Sequence, residues 1–204
     1  RRVFKLKPLI CNLKMHGNLK EMMNYKKQME MLEEKNIIVC PSFPFLVVMH
    51  SKYFQVCAQD ISCFKDDFHT GSVGASALKS IDVKNALIGH SETNATFEIK
   101  IAKLKQALNQ NMHAYVILSD TKKDYDYQYT STRLLSQIRG MLSQVLKSQY
   151  ENITFIYEPT WTINTKASVD LKDIENIFYF MKTELERDYH YNFPFFYGGG
   201  LTEK

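Results

Sequence analysis

The sequence predicts an α/β protein whose strands run parallel, and three observations lead to this expectation. Short apolar runs without alternation of apolar and polar residues recur along the 204 residues, which is typical of strands buried on both faces. Longer amphipathic segments with helical spacing separate these runs. Repetition of strand, helix and strand implies right-handed crossovers between parallel strands.

Seven runs have the length and composition of strands. They are short, apolar and bounded by polar or turn-forming residues. The predicted strands cover residues 8–14, 36–40, 54–58, 85–88, 114–118, 152–157 and 194–197.

Four amphipathic segments predict helices between the strands. Asn18 and Asp170 are suitable N-caps for the first and the last of them. The helices are expected after Asn18 with Met22, Met23, Met29 and Leu32 on the apolar face, over 98–110, over 134–146, and after Asp170 with Leu171, Ile174, Ile177, Phe178, Met181 and Leu185 on the apolar face.

Two architectures fit this order of elements, an open doubly wound sheet and a closed (β/α)8 barrel. A complete barrel typically needs about 250 residues, whereas the 204 residues supply seven visible strands. If the chain forms a barrel, we therefore expect the eighth unit to be absent from this sequence. In both architectures, functional residues collect at the carboxyl ends of the parallel strands.

Composition and charge disfavour several classes of protein. Apolar residues make up 45% and charged residues 24% of the chain, as in ordinary globular domains and unlike collagen or disordered tails. No apolar run reaches the roughly 18 residues of a membrane-spanning helix, so no membrane association is expected. The net charge of +4 is spread without a basic block, which disfavours a nucleic-acid partner. The histidines and cysteines lack the spacing of metal ligands.

Three reactive side chains follow predicted strands and would meet at one rim. Lys14 ends the first strand, His90 follows the fourth and Glu158 follows the sixth. Together they suit proton abstraction next to a carbonyl group, because the carboxylate takes the proton while the imidazole and the ammonium stabilise the developing negative charge. Residues 198–200 form a glycine run whose backbone N–H groups could approach a phosphate. Taken singly, each of these features is more often structural, and only their shared placement favours a site.

Five motifs occur in order along the chain. They are N-L-K-M at 12–15, A-Q-D at 58–60 followed by T-G at 70–71, L-I-G-H-S-E at 87–92, Y-E-P-T-W-T-I-N-T at 157–165, and Y-G-G at 197–199. Together they resemble the triosephosphate isomerase family, and the match runs along the whole chain. The resemblance implies a (β/α)8 TIM barrel, formed as a single domain over residues 1–204 and incomplete at its C-terminal end.

The resemblance also implies an activity and the residues that perform it. The family interconverts dihydroxyacetone phosphate and glyceraldehyde 3-phosphate through an enediolate, with no metal or organic cofactor. By resemblance, Glu158 would be the catalytic base, His90 the electrophile and Lys14 a contact for the charge of the substrate. Glu92 would be a supporting carboxylate that contacts these residues and not the substrate.

Further positions take their expected roles from the same resemblance. A lid over residues 159–168 would close over the phosphate and exclude water. The family forms homodimers, so a loop over residues 68–74 would reach into a partner. The residues implied are Asn12, Lys14, Asn164 and Gly200 for substrate binding, Pro159, Trp161, Ile163 and Thr165 in the lid, and Thr70 and Gly71 at the dimer interface. Glycolysis and gluconeogenesis imply the cytoplasm by default, with an organelle such as a plastid as the alternative.

The chain departs from the family pattern at several of these positions. Thr93 and Asn94 replace a pair of arginines, which removes positive charge near Glu158. Asn164 and Lys166 occupy glycine positions in the lid, where a positive φ would add strain. These departures keep a second hypothesis open, in which the chain is a non-catalytic or weakly active paralogue that acts as a binding or scaffolding protein.

Overall fold

Each of the seven predicted strands is present in the computed structural model, which describes residues 8–32, 36–65 and 68–200. The first seven and last four residues, with which the predicted domain begins and ends, lie outside the described residues. The strands are β1 (Leu9–Asn12), β2 (Ile37–Cys40), β3 (Gln55–Ala58), β4 (Asn85–Ile88), β5 (His113–Leu118), β6 (Ile153–Tyr157) and β7 (Phe195–Tyr197).

The order of the strands distinguishes between the two predicted architectures. All seven belong to one sheet in the order β1 to β7, so strands that follow each other in the chain are neighbours. Every neighbouring pair is parallel. A doubly wound sheet would reverse its order at a switch point, whereas this order is that of a (β/α)8 barrel. Within the described residues β1 and β7 are edge strands with no strand between them, as expected for a barrel whose eighth unit is absent.

In the described part of the chain, six α-helices cover the outside of the sheet. They are α1 (Leu19–Met31), α2 (Ala75–Ser80), α3 (Phe97–Asn109), α4 (Lys122–Asp126), α5 (Thr130–Leu142) and α6 (Leu171–Tyr189). The predicted N-caps are confirmed: the Asn18 side chain accepts from the Glu21 amide, and the Asp170 side chain accepts from the Lys172 amide. Along the described part of the chain, none of these helices has the length and apolar character needed to cross a bilayer.

Several helix predictions need correction. The short helices α2 and α4 were not predicted, because five or six residues are too few to show a helical period. Helix α5 starts before the predicted range 134–146 and ends at Leu142, which leaves Leu146 exposed in extended backbone. On α1, only Met22 is buried, whereas Met23 and, just after the helix, Leu32 of the predicted apolar face are exposed. On α6, Leu171 at the first position is exposed instead of buried.

The sheet separates two apolar clusters. The larger one lies between the strands and the helices and includes Val39 and Leu104. The smaller one fills the inside of the curled sheet with Ile38, Cys40, Cys57, Leu87, Tyr115, Ile117 and Ile156. Since alternate residues of a strand point to opposite faces, each strand contributes to both clusters, and this burial on both faces explains the continuous apolar runs.

Helix α3 depends on Leu104 for its attachment to the sheet. Because Leu104 is fully buried, Leu104→Ala is expected to lower the free energy of unfolding by about 2–5 kcal/mol. On the same helix, Ile99 is more than one-third exposed, so Ile99→Ala should cost less than about 1 kcal/mol. Urea unfolding of both variants measures the difference. Equal losses would contradict this account of the α3 contact.

Candidate active site

A cavity of about 420 Å³ opens at the carboxyl ends of the strands. Its polar lining comes from Asn12, His90 and Glu158, and its floor comes from the apolar cluster inside the sheet. Gly198 and Gly199 border it after β7. The cavity continues into the gap between the edge strands β1 and β7, where it is lined by residues such as Leu9 and Phe195. A cavity is therefore present at the rim where the strand ends predict a site.

His90 is fixed in position by the turn that follows β4. Gly89 has a positive φ of 79°, a conformation that a side chain would strain, and this turns the buried His90 toward the cavity. The Nδ1 atom of His90 accepts a hydrogen bond from the backbone N–H of Glu92 at 3.2 Å. In a neutral imidazole the proton must then be on Nε2. That atom lies 3.5 Å from Oε1 of Glu158, so the ring directs an N–H toward the cavity.

Glu158 directly extends the hydrogen-bond ladder of β6. Its backbone N–H donates to the carbonyl of Leu118 at 2.9 Å, which fixes the point from which the side chain enters the cavity. The Oε2 atom is buried and has no hydrogen-bond partner among the described residues. The Cβ of a side chain at position 199 would come within 3.4 Å of Cγ of Glu158, so Gly199 leaves the carboxylate its space. A buried carboxylate oxygen without a donor is well suited to take up a proton from a molecule in the cavity.

Lys14 stands at the edge of the site in a strained backbone conformation. Its φ is 51°, in the left-handed region that non-glycine residues rarely adopt. Two side chains hold this conformation: Asn12 Oδ1 accepts from the Lys14 N–H at 3.0 Å, and Gln59 Nε2 donates to the Lys14 carbonyl at 2.7 Å. The ammonium is 2.6 Å from Oε1 of Glu92. Sequence reasoning gave Gln59 no role, although a polar residue directly after a buried strand was a usable signal.

The three predicted reactive residues are brought together by these contacts. Lys14 pairs with Glu92, and this ion pair holds the pKa of the Glu92 carboxyl below its usual range. The Glu92 backbone in turn binds the ring of His90, which faces Glu158. Lys14 is not among the residues that line the cavity itself. Its connection to the cavity runs through Glu92 and His90.

The start of the predicted lid is anchored on Asp120. One carboxylate oxygen accepts from Trp161 Nε1 at 3.3 Å, and the other accepts from the hydroxyls of Thr130 at 2.5 Å and Tyr157 at 3.1 Å. Thr160 adds a hydrogen bond to the Asp120 carbonyl. Burial raises the pKa of the Asp120 carboxyl, and the three donors offset part of that effect.

Farther along, the lid differs from the sequence expectation. Asn164 has a positive φ of 56°, as expected for a residue at a glycine position, whereas Lys166 is not among the residues with positive φ. Asn164 is exposed, and neither it nor Gly200 lines the cavity. Gly200 instead packs against the lid, where an added Cβ would lie 2.9 Å from the Ala167 carbonyl. Of the other predicted lid residues, Pro159 is buried and Thr165 is exposed.

The predicted dimer loop is exposed. Thr70 and Gly71 lie on the surface in the connection between β3 and α2. Nearby, the Phe68 side chain is 97% exposed, and Met15, which follows β1, is 94% exposed.

A parallel sheet in barrel order, with a carboxylate, an imidazole and an ammonium at its carboxyl-end rim, places the chain in the class of (β/α)8 barrel proteins. The sequence profile described as Triosephosphate isomerase matches residues 7–204. The chain belongs to the triosephosphate isomerase family.

Relatives that carry the name triosephosphate isomerase are similar over nearly the whole chain. The protein of Polynucleobacter asymbioticus is 29% identical, covering 96% of this chain and 86% of the relative. The protein of Malacoplasma penetrans is 26% identical, covering 97% of this chain and 85% of the relative. The protein of Ureaplasma parvum serovar 3 is also 26% identical, covering 97% and 85%. The low identities describe a divergent member of the family.

The contact between Asp120 and Trp161 predicts a pH-dependent signal from the lid. Because the pKa of Asp120 is raised, acidification should neutralise its carboxylate at a pH above about 3.9, the ordinary value for aspartate. Trp161 is the single tryptophan of the chain, so the protein fluorescence should change as the pH falls, with a midpoint at the pH where the Asp120 carboxylate is half neutralised. The transition should vanish in Asp120→Asn and persist in the exposed control Asp82→Asn. A midpoint at or below the ordinary value would refute the assignment.

Proposed function

We propose that the chain is an enzyme that interconverts dihydroxyacetone phosphate and glyceraldehyde 3-phosphate by proton transfer through an enediolate. The observation that carries this proposal is the buried, unpartnered Oε2 of Glu158, placed beside the Nε2 atom of His90 in the cavity. Membership of the family and the names of the relatives support the same reaction.

The proton transfer follows from the geometry of the two side chains. Glu158 takes a proton from the carbon next to the carbonyl group of the substrate, and the bonding electrons move onto the carbonyl oxygen. The Nε2–H of His90 donates a hydrogen bond to that oxygen as its negative charge develops. The hydroxyl proton of the first carbon must also move to the former carbonyl oxygen, and His90 can carry it by giving the Nε2 proton to that oxygen and taking the hydroxyl proton in exchange. Glu158 then returns its proton to the neighbouring carbon, and the electrons on the first oxygen form the new carbonyl, so that the overall reaction is balanced. The Glu92 N–H keeps His90 in the required tautomer by donating to Nδ1.

Charge and backbone groups around the rim are suited to the phosphate of the substrate. Lys14 supplies an ammonium, and Asn12 presents its amide to the cavity and fixes the Lys14 backbone. The Gly198 N–H donates to the Tyr157 carbonyl, so the glycine run would offer the backbone N–H groups of Gly199 and Gly200, at which a phosphate meets no side chain. Gly200 packs against the lid, so a movement of the lid would also move Gly200 and change its contact with the phosphate. Asn164 would contact the substrate from the lid.

We also propose that the protein acts as a homodimer in the cytoplasm. The loop over residues 68–74, with Thr70 and Gly71, exposes Phe68, and the segment after β1 exposes Met15. Covering such large apolar side chains with another protein surface is favourable. A second copy of the chain, as in the family, would cover them.

Glu158→Gln tests the enzyme hypothesis because it removes the base and keeps the size of the side chain. In a coupled assay on the full-length protein, kcat is expected to fall about 10²–10⁴-fold, the usual contribution of acid–base catalysis. Glu175→Gln, an exposed position on α6, is the matched control and should keep the wild-type rate. A wild-type rate no higher than that of Glu158→Gln would reject the enzyme and leave the binding or scaffolding hypothesis.

Thr70→Arg tests the dimer. A long charged side chain in the loop should shift sedimentation in analytical ultracentrifugation from dimer toward monomer, because it must be desolvated at the interface. The control is Thr183→Arg on the exposed side of α6, which should sediment as the wild type does. A wild-type protein that is monomeric at all concentrations measured would exclude the homodimer.

A further inference from the structure

Lys100 on α3 directs its side chain toward the back of the site. Its hydrocarbon stem lies against Gly89, where an added Cβ would come within 2.6 Å of Cδ and 2.7 Å of Cε. Its ammonium donates to the carbonyl of Ile117 at 3.5 Å. Lys100 therefore packs behind the residue that precedes His90 and reaches the strand next to Glu158.

The surroundings of Lys100 differ from those of the other lysine on the same helix face. One turn farther along, Lys103 is paired with Asp60 at 2.5 Å. Among the described residues, no carboxylate lies within ion-pair distance of the Lys100 ammonium. Burial lowers the pKa of Lys100, and the only charged group that raises it is the Glu158 carboxylate.

The elements packed around Lys100 contribute few other charges. Strand β4 contributes Gly89, and β5 contributes the Ile117 carbonyl. On the outer side, a cavity of about 390 Å³ is lined by Lys100, Ser119 and Gln137 together with Arg133 of α5. Arg133 is a second cation, so among the described residues Glu158 remains the carboxylate whose charge acts on Lys100.

The backbone connects the two residues through the neighbouring strand. Lys100 donates to the carbonyl of Ile117 in β5, and the next carbonyl, that of Leu118, accepts the backbone N–H of Glu158. The ammonium is thus bonded to the end of β5, to which the backbone of Glu158 after β6 is hydrogen-bonded. A half-buried charge interacts more strongly at such a place than at the surface, because the effective dielectric constant is lower.

We propose that Lys100 is a positioning residue for Glu158: its ammonium, held between Gly89 and the Ile117 carbonyl, favours the ionised carboxylate and stabilises the end of β5 to which the Glu158 backbone is bonded. The role rests on the proposed function, in which Glu158 is the base. Lys100 does not touch the substrate. It supplies positive charge to Glu158 from the helix side of the sheet. Lys14 does not do so, because its ammonium pairs with Glu92.

The variant Lys100→Met removes the charge and keeps most of the stem. The expected result is a shift of the acid limb of the kcat/KM profile to higher pH, with a loss of about three- to tenfold on that limb, equivalent to half to one pH unit. Lys100→Arg keeps the charge, so the acid limb of its kcat/KM profile should stay at the wild-type pH. Lys105→Met, an identical change on the exposed side of α3, should leave the profile unchanged. An acid limb that does not move in Lys100→Met overturns the proposal.

A second measurement depends neither on activity nor on the folding of Lys100→Met. Coupling between two sites is reciprocal, so Glu158→Gln must act on Lys100. In ¹³C-lysine spectra, we expect the Lys100 signal to titrate below an ordinary lysine in the wild type and lower still in Glu158→Gln. Glu175→Gln should not move it. An unmoved Lys100 signal in Glu158→Gln overturns the proposal, while an inactive wild type rejects only the isomerase.

Discussion

The parallel ladder between neighbouring strands is the constraint on which the site depends. Because all seven strands run in the same direction and follow chain order, every residue after a strand end lies on one rim. Glu158 shows how tight this constraint is. Leu118 pairs with Tyr157 in the β5–β6 register, and the Glu158 N–H adds one more hydrogen bond to the same ladder. The position of the carboxylate is therefore set by the sheet and not by a flexible loop.

Part of the backbone strain of the molecule lies at this rim, and part lies at helix ends on the opposite side of the sheet, at Asp82, Asn111 and His190. Lys14, Gly89 and Asn164 all have positive φ, and for the two non-glycine residues this costs free energy that the surroundings must offset. At Lys14 the compensation is visible in the hydrogen bonds from Gln59 and to Asn12. Gln59 also donates to the Cys40 carbonyl, so it joins the ends of β1 and β2 and couples the strained residue to the rigid sheet.

Charged groups lie on two sides of Glu158. In front, Lys14 and Glu92 form an ion pair close to the surface, where solvent screens the interaction and its net contribution is small. Behind the sheet, Lys100 lies in more buried surroundings. The missing arginine pair at Thr93 and Asn94 indicated a loss of positive charge beside Glu158. The fold brings Lys100 of α3 to the neighbourhood of Glu158, although α3 lies outside the L-I-G-H-S-E motif.

The sequence by itself determined the strands, the two N-caps at Asn18 and Asp170, and the meeting of the reactive residues at one rim. Each of these depends on local pattern or on strand direction, which a sequence carries. Only the tertiary structure decided the sheet order that distinguishes the barrel, the exposure of Met23, and the roles of Gln59 and Lys100. Those depend on contacts between segments far apart in the chain, and neither periodicity nor spacing along the sequence records which distant groups will meet.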